Sequence, residues 1–197
     1  EVLGDPIYLP TDEDHPRNPR TTYGMTKCCA EDLCKEYART YGLNVVIPRL
    51  YMIYGPDDFR ELAYHSAIAK FVALALRGKQ PTAYIGCYRS WIHIEDCIDA
   101  LMLFREKGRA GQVYDITAPP DQCLSMYELA RQIISQCKRS YVNMYVQPKL
   151  EKAPVSDTRI KMSSGAKAYK ELEWKPKKTL KTELHSLIDG WKKQLGM

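Results

Sequence analysis

The chain lacks any long uninterrupted apolar stretch. Among its 197 residues no apolar run approaches the 18 or so that a membrane-spanning helix needs, and no signal peptide is recognisable. Nothing in the sequence argues for a membrane, and we expect a cytoplasmic protein. Repeats and low-complexity segments are also missing. What is left is an ordinary globular composition, 45% hydrophobic and 27% charged, long enough to bury a core in one domain or a domain and a half.

The chain also lacks a C-x-x-C pair. Its cysteine count is seven, which is odd, so the sequence predicts neither a disulfide framework nor a zinc site, and we expect no metal. Reduced cysteines are the usual state in a cytosolic protein. The formal net charge is +5, which suits an anionic ligand and equally a weak nucleic-acid binder. The charge alone does not distinguish a protein that binds a small anionic ligand from one that binds nucleic acid.

The first half of the chain reads as half of an α/β unit. Residues 5–20 are rich in Pro, Asp, Glu and Asn and predict a loop. A helix is predicted over 21–41, capped by Thr21 or Thr22, with Gly42 at its carboxyl end. An apolar, β-branched strand follows at 44–49, as expected in a parallel sheet. We expect Pro48 to lie beyond the paired part of that strand, because proline cannot donate to a ladder.

The later elements are predicted from periodicity and capping signals. The expected order is a helix over 66–77, a strand over Ser90–Glu95, a helix capped by Asp96, a strand over 113–116, a helix after a Ser125/Glu128 capping box, a strand over 141–146 and a helix over 180–193. The closing helix places Leu184, Leu187, Ile188 and Trp191 on one face. The basic, Pro-containing stretch 147–156 is the one candidate linker.

Tyr23 and Lys27 carry the clearest chemistry in the sequence. Near the start of a helix, residues four apart lie on one face. A phenol titrates near pH 10, and a neighbouring cation favours the phenolate and lowers that pKa. The pair can therefore exchange a proton with a hydroxyl of a substrate. The competing interpretation is an exposed helix face, because Y-x-x-x-K is short and occurs by chance in many proteins.

Five blocks in order make the pattern specific. They are EVLGDP with the acidic loop and TTYGMTK, then RLYMIYGP, RSWIHIED, GQVYDI and LEWKP. Together they resemble the extended short-chain dehydrogenase/reductase family, in its NAD-dependent sugar-nucleotide epimerase/dehydratase branch. The family's corresponding patterns are E-V-Y-G-D-P, Y-G-x-S/T-K, R-x-x-N-x-Y-G-P, R-D-W/F-x-Y/H-V-E/D-D, G-x-x-Y-N-I and L-G-W-x-P. The resemblance spans nearly the whole chain.

The resemblance implies an α/β fold with two parts. Residues 1–56 would be the carboxyl-terminal part of a Rossmann-like, doubly wound parallel sheet that binds NAD. Residues 57–197 would mainly form a smaller α/β substrate-binding lobe, with some segments returning to the sheet. The family commonly forms homodimers through the helix that carries Tyr23, so a homodimer is expected here as well.

The resemblance also implies roles for named residues. Tyr23 would be the catalytic acid/base, and Lys27 would hold the nicotinamide ribose and favour the phenolate. Leu50 and Tyr51 would approach the nicotinamide of NAD or NADP. Glu1 matches a glutamate that acts on the sugar ring in 4,6-dehydratases and decarboxylases of the family, and many simple 4-epimerases lack it. A capping or solvent-facing carboxylate is the alternative for Glu1.

Substrate contacts follow from the same resemblance. Arg89 and Arg159 would bind the diphosphate of a nucleotide sugar, since a fork of donors suits phosphate oxygens. For each arginine, and for Arg159 above all, a surface ion pair is the alternative. Met52 stands where the family has an asparagine near the substrate. The loop before Arg89 is shorter than usual, and Ser163 or Ser164 replaces an aspartate, which leaves the identity of the sugar open.

The G-x-x-G-x-x-G phosphate loop of the family is absent from these 197 residues, as is a partner Ser or Thr before Glu1. We therefore expect the chain to begin in mid-motif and, as given, to bind NAD weakly and not to turn over a substrate. Two other classes of function compete with the enzyme. One is a non-catalytic relative that binds a partner such as RNA, and the other is an oligomerisation scaffold. The Tyr23/Lys27 pair favours the enzyme, and the scattered basic residues make nucleic acid an unlikely partner.

Overall fold

The computed structural model describes residues 1–56, 66–140 and 146–197. After a loop, helix α1 (Thr22–Tyr41) begins where the Thr21 side chain accepts a hydrogen bond from Gly24 N, and it ends at Gly42, whose φ is 65°. Strand β1 (Ile47–Leu50) follows. The helix predicted over 21–41 is confirmed with its Thr21 cap, and the predicted strand begins three residues later than expected.

Strand β1 pairs in parallel with β6 (Val113–Ile116), so that Ile47 lies opposite Val113 and Leu50 opposite Ile116. The expectation that Pro48 lies outside the paired region was wrong, because Pro48 is the second residue of β1. The amides of Ile47 and Tyr51 donate to Gln112 O and Ile116 O on the β6 side. Because amides alternate along a strand, the nitrogen of Pro48 faces away from β6 and no ladder bond is lost.

A second parallel pair joins β2 (Met52–Tyr54) to β5 (Trp91–His93), and helix α3 (Ile94–Lys107) follows at once. The predicted cap at Asp96 was wrong, because the His93 side chain accepts from Glu95 N and the helix starts two residues before Asp96. Asp96 instead accepts hydrogen bonds from the backbone nitrogens of Lys177 and Lys178, each at 2.9 Å. The carboxylate thus ties the segment before the last helix to α3.

The remaining elements build the second half of the chain. They are α2 (Ala67–Leu76), β3 (Thr82–Ile85), β4 (Tyr88–Arg89), β7 (Leu124–Ser125), α4 (Met126–Ser140), β8 (Lys149–Lys152), β9 (Ile160–Lys161), α5 (Ala166–Glu171) and α6 (Leu180–Leu195). The predicted α2, α4 and α6 are confirmed, and Ser125 and Glu128 exchange the hydrogen bonds of a capping box. The strand predicted over 141–146 falls on residues outside the described part, apart from Val146.

The stretch 147–156 is more than the linker that its composition suggested. It contains β8, which pairs in parallel with β3, Thr82 lying opposite Lys149 and Ile85 opposite Lys152. The strand sequence Lys-Leu-Glu-Lys carries three charged residues, and its side chains are largely exposed. Charged, exposed side chains are usual for a strand at the edge of a sheet. A three-stranded sheet of β7, β4 and β9 completes the pairing among the described strands.

Two buried clusters hold these elements together. The larger one gathers α2, α4 and α6 on β3 and includes the predicted α6 face of Leu184, Leu187, Ile188 and Trp191. The smaller one packs α3, β6 and α5 around Ile92, Tyr114, Leu172 and Trp174. Within the described residues no helix is both long enough and apolar enough to cross a bilayer. The domain division at residue 56 stays a prediction.

Candidate active site

A cavity of about 580 Å³ lies between the amino-terminal loop, α1, β1 and the segment around β9. Six of the eight residues predicted from the sequence line it: Glu1, Tyr23, Lys27, Leu50, Tyr51 and Met52. These residues come from three separate segments of the chain. A volume of several hundred Å³ is typical of small-molecule sites. The fold therefore brings most of the predicted residues to one concave surface.

Two glycines allow the amino-terminal loop to approach α1. A Cβ atom on Gly24 would lie 2.9 Å from the backbone oxygen of Glu1 and 3.0 Å from Cβ of Pro19. Gly4 has a φ of +65°, and a Cβ there would lie 2.0 Å from the backbone oxygen of Asn18. Only glycine fits both positions without movement of the backbone. The glycine next to Tyr23 is thus required to bring Glu1 into the cavity beside it.

Tyr23 and Lys27 share the cavity face of α1. The Tyr23 side chain is 60% exposed, and Nζ of Lys27 lies 5.4 Å from the centroid of its ring. The phenol is therefore open to a ligand in the cavity, with a cation beside its ring. Lys27 is thus the positive charge next to the Tyr23 ring on this face of the helix. This is the arrangement that a proton exchange with a bound hydroxyl requires.

Glu1 forms an ion pair with Lys161 at the edge of the cavity. Burial raises the pKa of the Glu1 carboxyl, but the hydrogen bond and positive charge of Lys161 outweigh that effect, and the net pKa is lowered. Lys161 also lines the cavity. Glu1 is consequently ionised at neutral pH. Lys161 is not among the residues predicted from the sequence, although it lies only two residues after the candidate Arg159.

Leu50, Tyr51 and Met52 line the cavity where β1 ends and β2 begins. Leu50 is 43% exposed and presents an apolar surface, whereas the hydroxyl of Tyr51 lies in a buried polar layer. That hydroxyl is 3.1 Å from Thr11 Oγ1 and donates to Asp115 Oδ2 at 3.3 Å. Burial first, and then the charge of Asp115, raise the pKa of Tyr51. Tyr51 therefore keeps its proton and serves as a fixed hydrogen-bond donor.

The polar layer beneath the cavity was not foreseen. Its centre is Asp115, which is fully buried in β6 and accepts from Ser163 Oγ at 2.6 Å. Burial is the main reason that the pKa of Asp115 rises to about 6, and the Ser163 hydrogen bond opposes it. The sequence feature that indicates this layer is an aspartate within the short apolar strand Val113–Ile116, which is buried throughout. The same aspartate lies in GQVYDI, where the family pattern has asparagine.

The two predicted phosphate ligands do not line the cavity. The Arg89 guanidinium is buried and donates to both carboxylate oxygens of Asp157, at 2.9 and 3.0 Å, and to Arg159 O at 2.7 Å. Arg159 is exposed, and its backbone nitrogen donates to Asp5. The structure thus brings the two arginines next to each other, but neither of them lines the cavity. Their role in binding a diphosphate stays a prediction.

Comparison with known proteins identifies the family of the chain. The NAD dependent epimerase/dehydratase family matches residues 1–117. UDP-glucuronic acid decarboxylase 5 of Arabidopsis thaliana is 29% identical over 208 residues, which cover all of this chain and 57% of that protein. The human dTDP-D-glucose 4,6-dehydratase is 25% identical and is covered to 54%. The chain thus spans a little more than half the length of these relatives.

Solved structures show the same fold. The dTDP-glucose 4,6-dehydratase of Bacillus anthracis, in complex with NAD, superposes with a TM-score of 0.80 at 26% identity, over 98% of this chain and 59% of that one. The UDP-glucose 4-epimerase of Thermotoga maritima, with UDP-glucose, gives 0.82 at 25% identity, over 98% and 61%. The predicted α/β, Rossmann-like fold is confirmed. The chain belongs to the NAD dependent epimerase/dehydratase family.

Proposed function

We propose that the protein acts on a nucleotide-diphosphate sugar by transient hydride transfer, with NAD or NADP as cofactor and Tyr23 as acid/base. The observation that carries this proposal is the cavity in which Tyr23, Lys27 and Glu1 meet. A phenol, an ammonium and a carboxylate on one concave surface are the groups needed to move protons on a polyol. Members of the family that bind NAD or nucleotide sugars support the assignment.

The cavity walls fit a nicotinamide and its ribose. Lys27 offers three N–H donors for ribose hydroxyls, and Leu50 offers an apolar surface for the flat face of the ring. When bound, the cofactor supplies an acceptor for hydride and returns it later. The chain's own contribution is to bind, to orient and to exchange protons. Tyr51 fixes the wall because its hydroxyl is anchored to the buried layer beneath.

Tyr23 performs the first proton transfer in this proposal. As hydride leaves a sugar carbon, the hydroxyl on that carbon becomes a carbonyl and its proton passes to the phenolate oxygen of Tyr23. Lys27 places its ammonium 5.4 Å from the centroid of the Tyr23 ring, next to the group that exchanges the proton. When hydride returns to the carbonyl carbon, Tyr23 gives its proton to the carbonyl oxygen, which becomes a hydroxyl again. A positioned acid or base of this kind is worth roughly 10²–10⁴-fold in rate.

Glu1 supports a dehydratase-like or decarboxylase-like reaction over simple epimerisation. Its ion pair with Lys161 keeps the carboxylate charged in the cavity, so that Glu1 can act as a base on the sugar ring. Arg89 and Arg159 are proposed to bind the diphosphate, and Met52 is proposed to contact the sugar. Binding at Arg89 would require a phosphate to replace Asp157, the carboxylate that the guanidinium now holds.

A homodimer packed through α1 is part of the same proposal. Leu33, Tyr37 and Tyr41 recur every four residues along α1, and all three side chains are exposed. Residues at this spacing share one face of a helix. An exposed apolar stripe of this kind is a usual feature of a helix that packs against a partner.

The test is incubation of the whole protein, with NAD or NADP, against a panel of UDP-, dTDP-, GDP- and CDP-sugars. Chromatography and mass spectrometry of the products distinguish loss of water, loss of CO₂ and a change of stereochemistry at constant mass. Conversion of at least one nucleotide sugar supports the proposal. If the protein binds both ligands in calorimetry yet converts none, the proposal is wrong, and a binding or scaffold role explains the fold better.

A further inference from the structure

Lys27 has a carboxylate neighbour that it does not use. Glu31 follows it by four residues on α1, and both side chains line the cavity. At this spacing a lysine and a glutamate on a helix are within reach of an ion pair. The Nζ atom of Lys27 nevertheless lies over the Tyr23 ring, and no ion pair of Lys27 occurs among the described residues. Something must keep Glu31 from attracting it.

Arg49 occupies both oxygens of Glu31. Its Nε donates to Oε1 at 2.7 Å and its Nη2 to Oε2 at 2.9 Å, in the two-pronged geometry that makes such pairs strong. The two side chains are only 8% and 6% exposed. Arg17 also approaches Glu31 at 3.7 Å, but its guanidinium is held by Asp32 at 2.7 Å. Both carboxylate oxygens of Glu31 therefore already accept hydrogen bonds from Arg49 of β1.

We propose that Arg49 is a positioning residue for Lys27, because it neutralises Glu31 and so leaves the Lys27 ammonium free for Tyr23 and the cofactor ribose. This inference rests on the proposed function of Tyr23 and Lys27. It differs from a simple anchoring role, in which the ion pair would only fasten α1 to β1. The two roles give opposite results when both charges are removed together.

The electrostatics of the site favour this interpretation. An exposed Lys–Glu pair in this order along a helix contributes little. At a buried carboxylate the attraction is several times larger, since the effective dielectric constant falls. A buried carboxylate without a partner also recruits any cation in reach. Lys27, one turn away on the same helix face, would then turn from Tyr23 towards Glu31.

The experiment compares three variants of the whole protein: Arg49→Leu, Glu31→Leu, and the double variant with both changes. Arg39→Leu is the control, because Arg39 forms the same two-pronged pair with Glu36 on the exposed side of α1. For Arg49→Leu we expect kcat to fall about 100-fold, the usual worth of a displaced acid or base. The double variant should recover to within about threefold of wild type, with the wild-type pH profile. The control should show no change.

A double variant as slow as Arg49→Leu would overturn the proposal in favour of anchoring. If Arg49→Leu does not fold, Arg49→Gln replaces it, because a glutamine removes the positive charge while its amide can still donate a hydrogen bond to Glu31. A crystal structure of the single variant gives a readout apart from activity. We expect Nζ of Lys27 within 4 Å of the Glu31 carboxylate, and finding it still over the Tyr23 ring would refute the inference even if the proposed function also failed.

Discussion

Replacing Asp115 with asparagine should stabilise the protein at neutral pH. The carboxyl group is fully buried in β6, and the one cation close to it in the described part of the chain is Arg49, whose Nη1 is 3.8 Å from Oδ1. Oδ2 lies beside Ser163 Oγ, which can also donate to the backbone oxygen of Thr11 at 2.9 Å. An asparagine Nδ2 in that place donates to Ser163, and Ser163 then donates to Thr11 O. The Tyr51 hydroxyl, which loses Oδ2 as an acceptor, donates to Thr11 Oγ1 at 3.1 Å instead. The uncharged side chain thus satisfies the same network without a buried charge.

The magnitude follows from the raised pKa of Asp115, about 6 in the folded protein. An unfolded aspartate titrates near pH 4, so the folded state binds the proton more tightly. Stability therefore falls as the pH rises from about 4 to about 6, because the folded protein must then lose a proton that it holds. About two pH units at about 1.4 kcal/mol each give a cost of about 3 kcal/mol above pH 6. Asp115→Asn should recover up to about that amount.

The assay is urea unfolding followed by tryptophan fluorescence at pH 4, 5, 6, 7 and 8. The difference in free energy of unfolding between Asp115→Asn and wild type should be small at pH 4, grow between pH 4 and 6, and stay constant above. Other carboxyl groups titrate equally in both proteins and cancel in the difference. A variant that is less stable than wild type at pH 8, or a difference that does not change with pH, would refute the reasoning.

Two further predictions concern the cavity wall. Lys161→Met removes the cation that lowers the Glu1 pKa, so that burial then raises this pKa. The acidic limb of the pH–rate profile should move to higher pH. A limb that does not move would show that Glu1 takes no part in the reaction. A Gly→Ala substitution in an unobstructed helix stabilises the protein by roughly 0.5–1 kcal/mol. Gly24→Ala should instead lower the melting temperature and reduce kcat at least tenfold, because the new Cβ would lie 2.9 Å from the backbone oxygen of Glu1. A stabilised, fully active variant would show that this close approach is unimportant.

The sequence was sufficient for features that depend on local patterns. Thr21 and Gly42 bound α1 as expected, because caps act through their own backbone neighbourhood. The Ser125/Glu128 capping box held for the same reason. The Tyr23/Lys27 spacing likewise placed both residues on one face of a helix, and that face lines the cavity.

Features that depend on distant partners were not predictable in this way. Pro48 lies within β1 because its nitrogen faces away from β6, and the sequence does not show which side of a strand is paired. Asp96 has the local pattern of a helix cap, but its partners lie more than 80 residues later in the chain. Lys161 reaches Glu1 across 160 residues. The charge network of the site is therefore a product of the fold.

The most direct test of the account is the turnover rate of Tyr23→Phe beside Tyr37→Phe in the whole protein, with its nucleotide sugar and NAD or NADP. Tyr37 is an exposed tyrosine of the same helix that does not line the cavity. A phenylalanine there keeps the apolar surface of the proposed dimer contact, so the substitution controls for the loss of a hydroxyl on α1. The account predicts a loss of roughly 10²–10⁴-fold in kcat for Tyr23→Phe and none for Tyr37→Phe, with both proteins folded. Wild-type turnover by Tyr23→Phe would contradict the account.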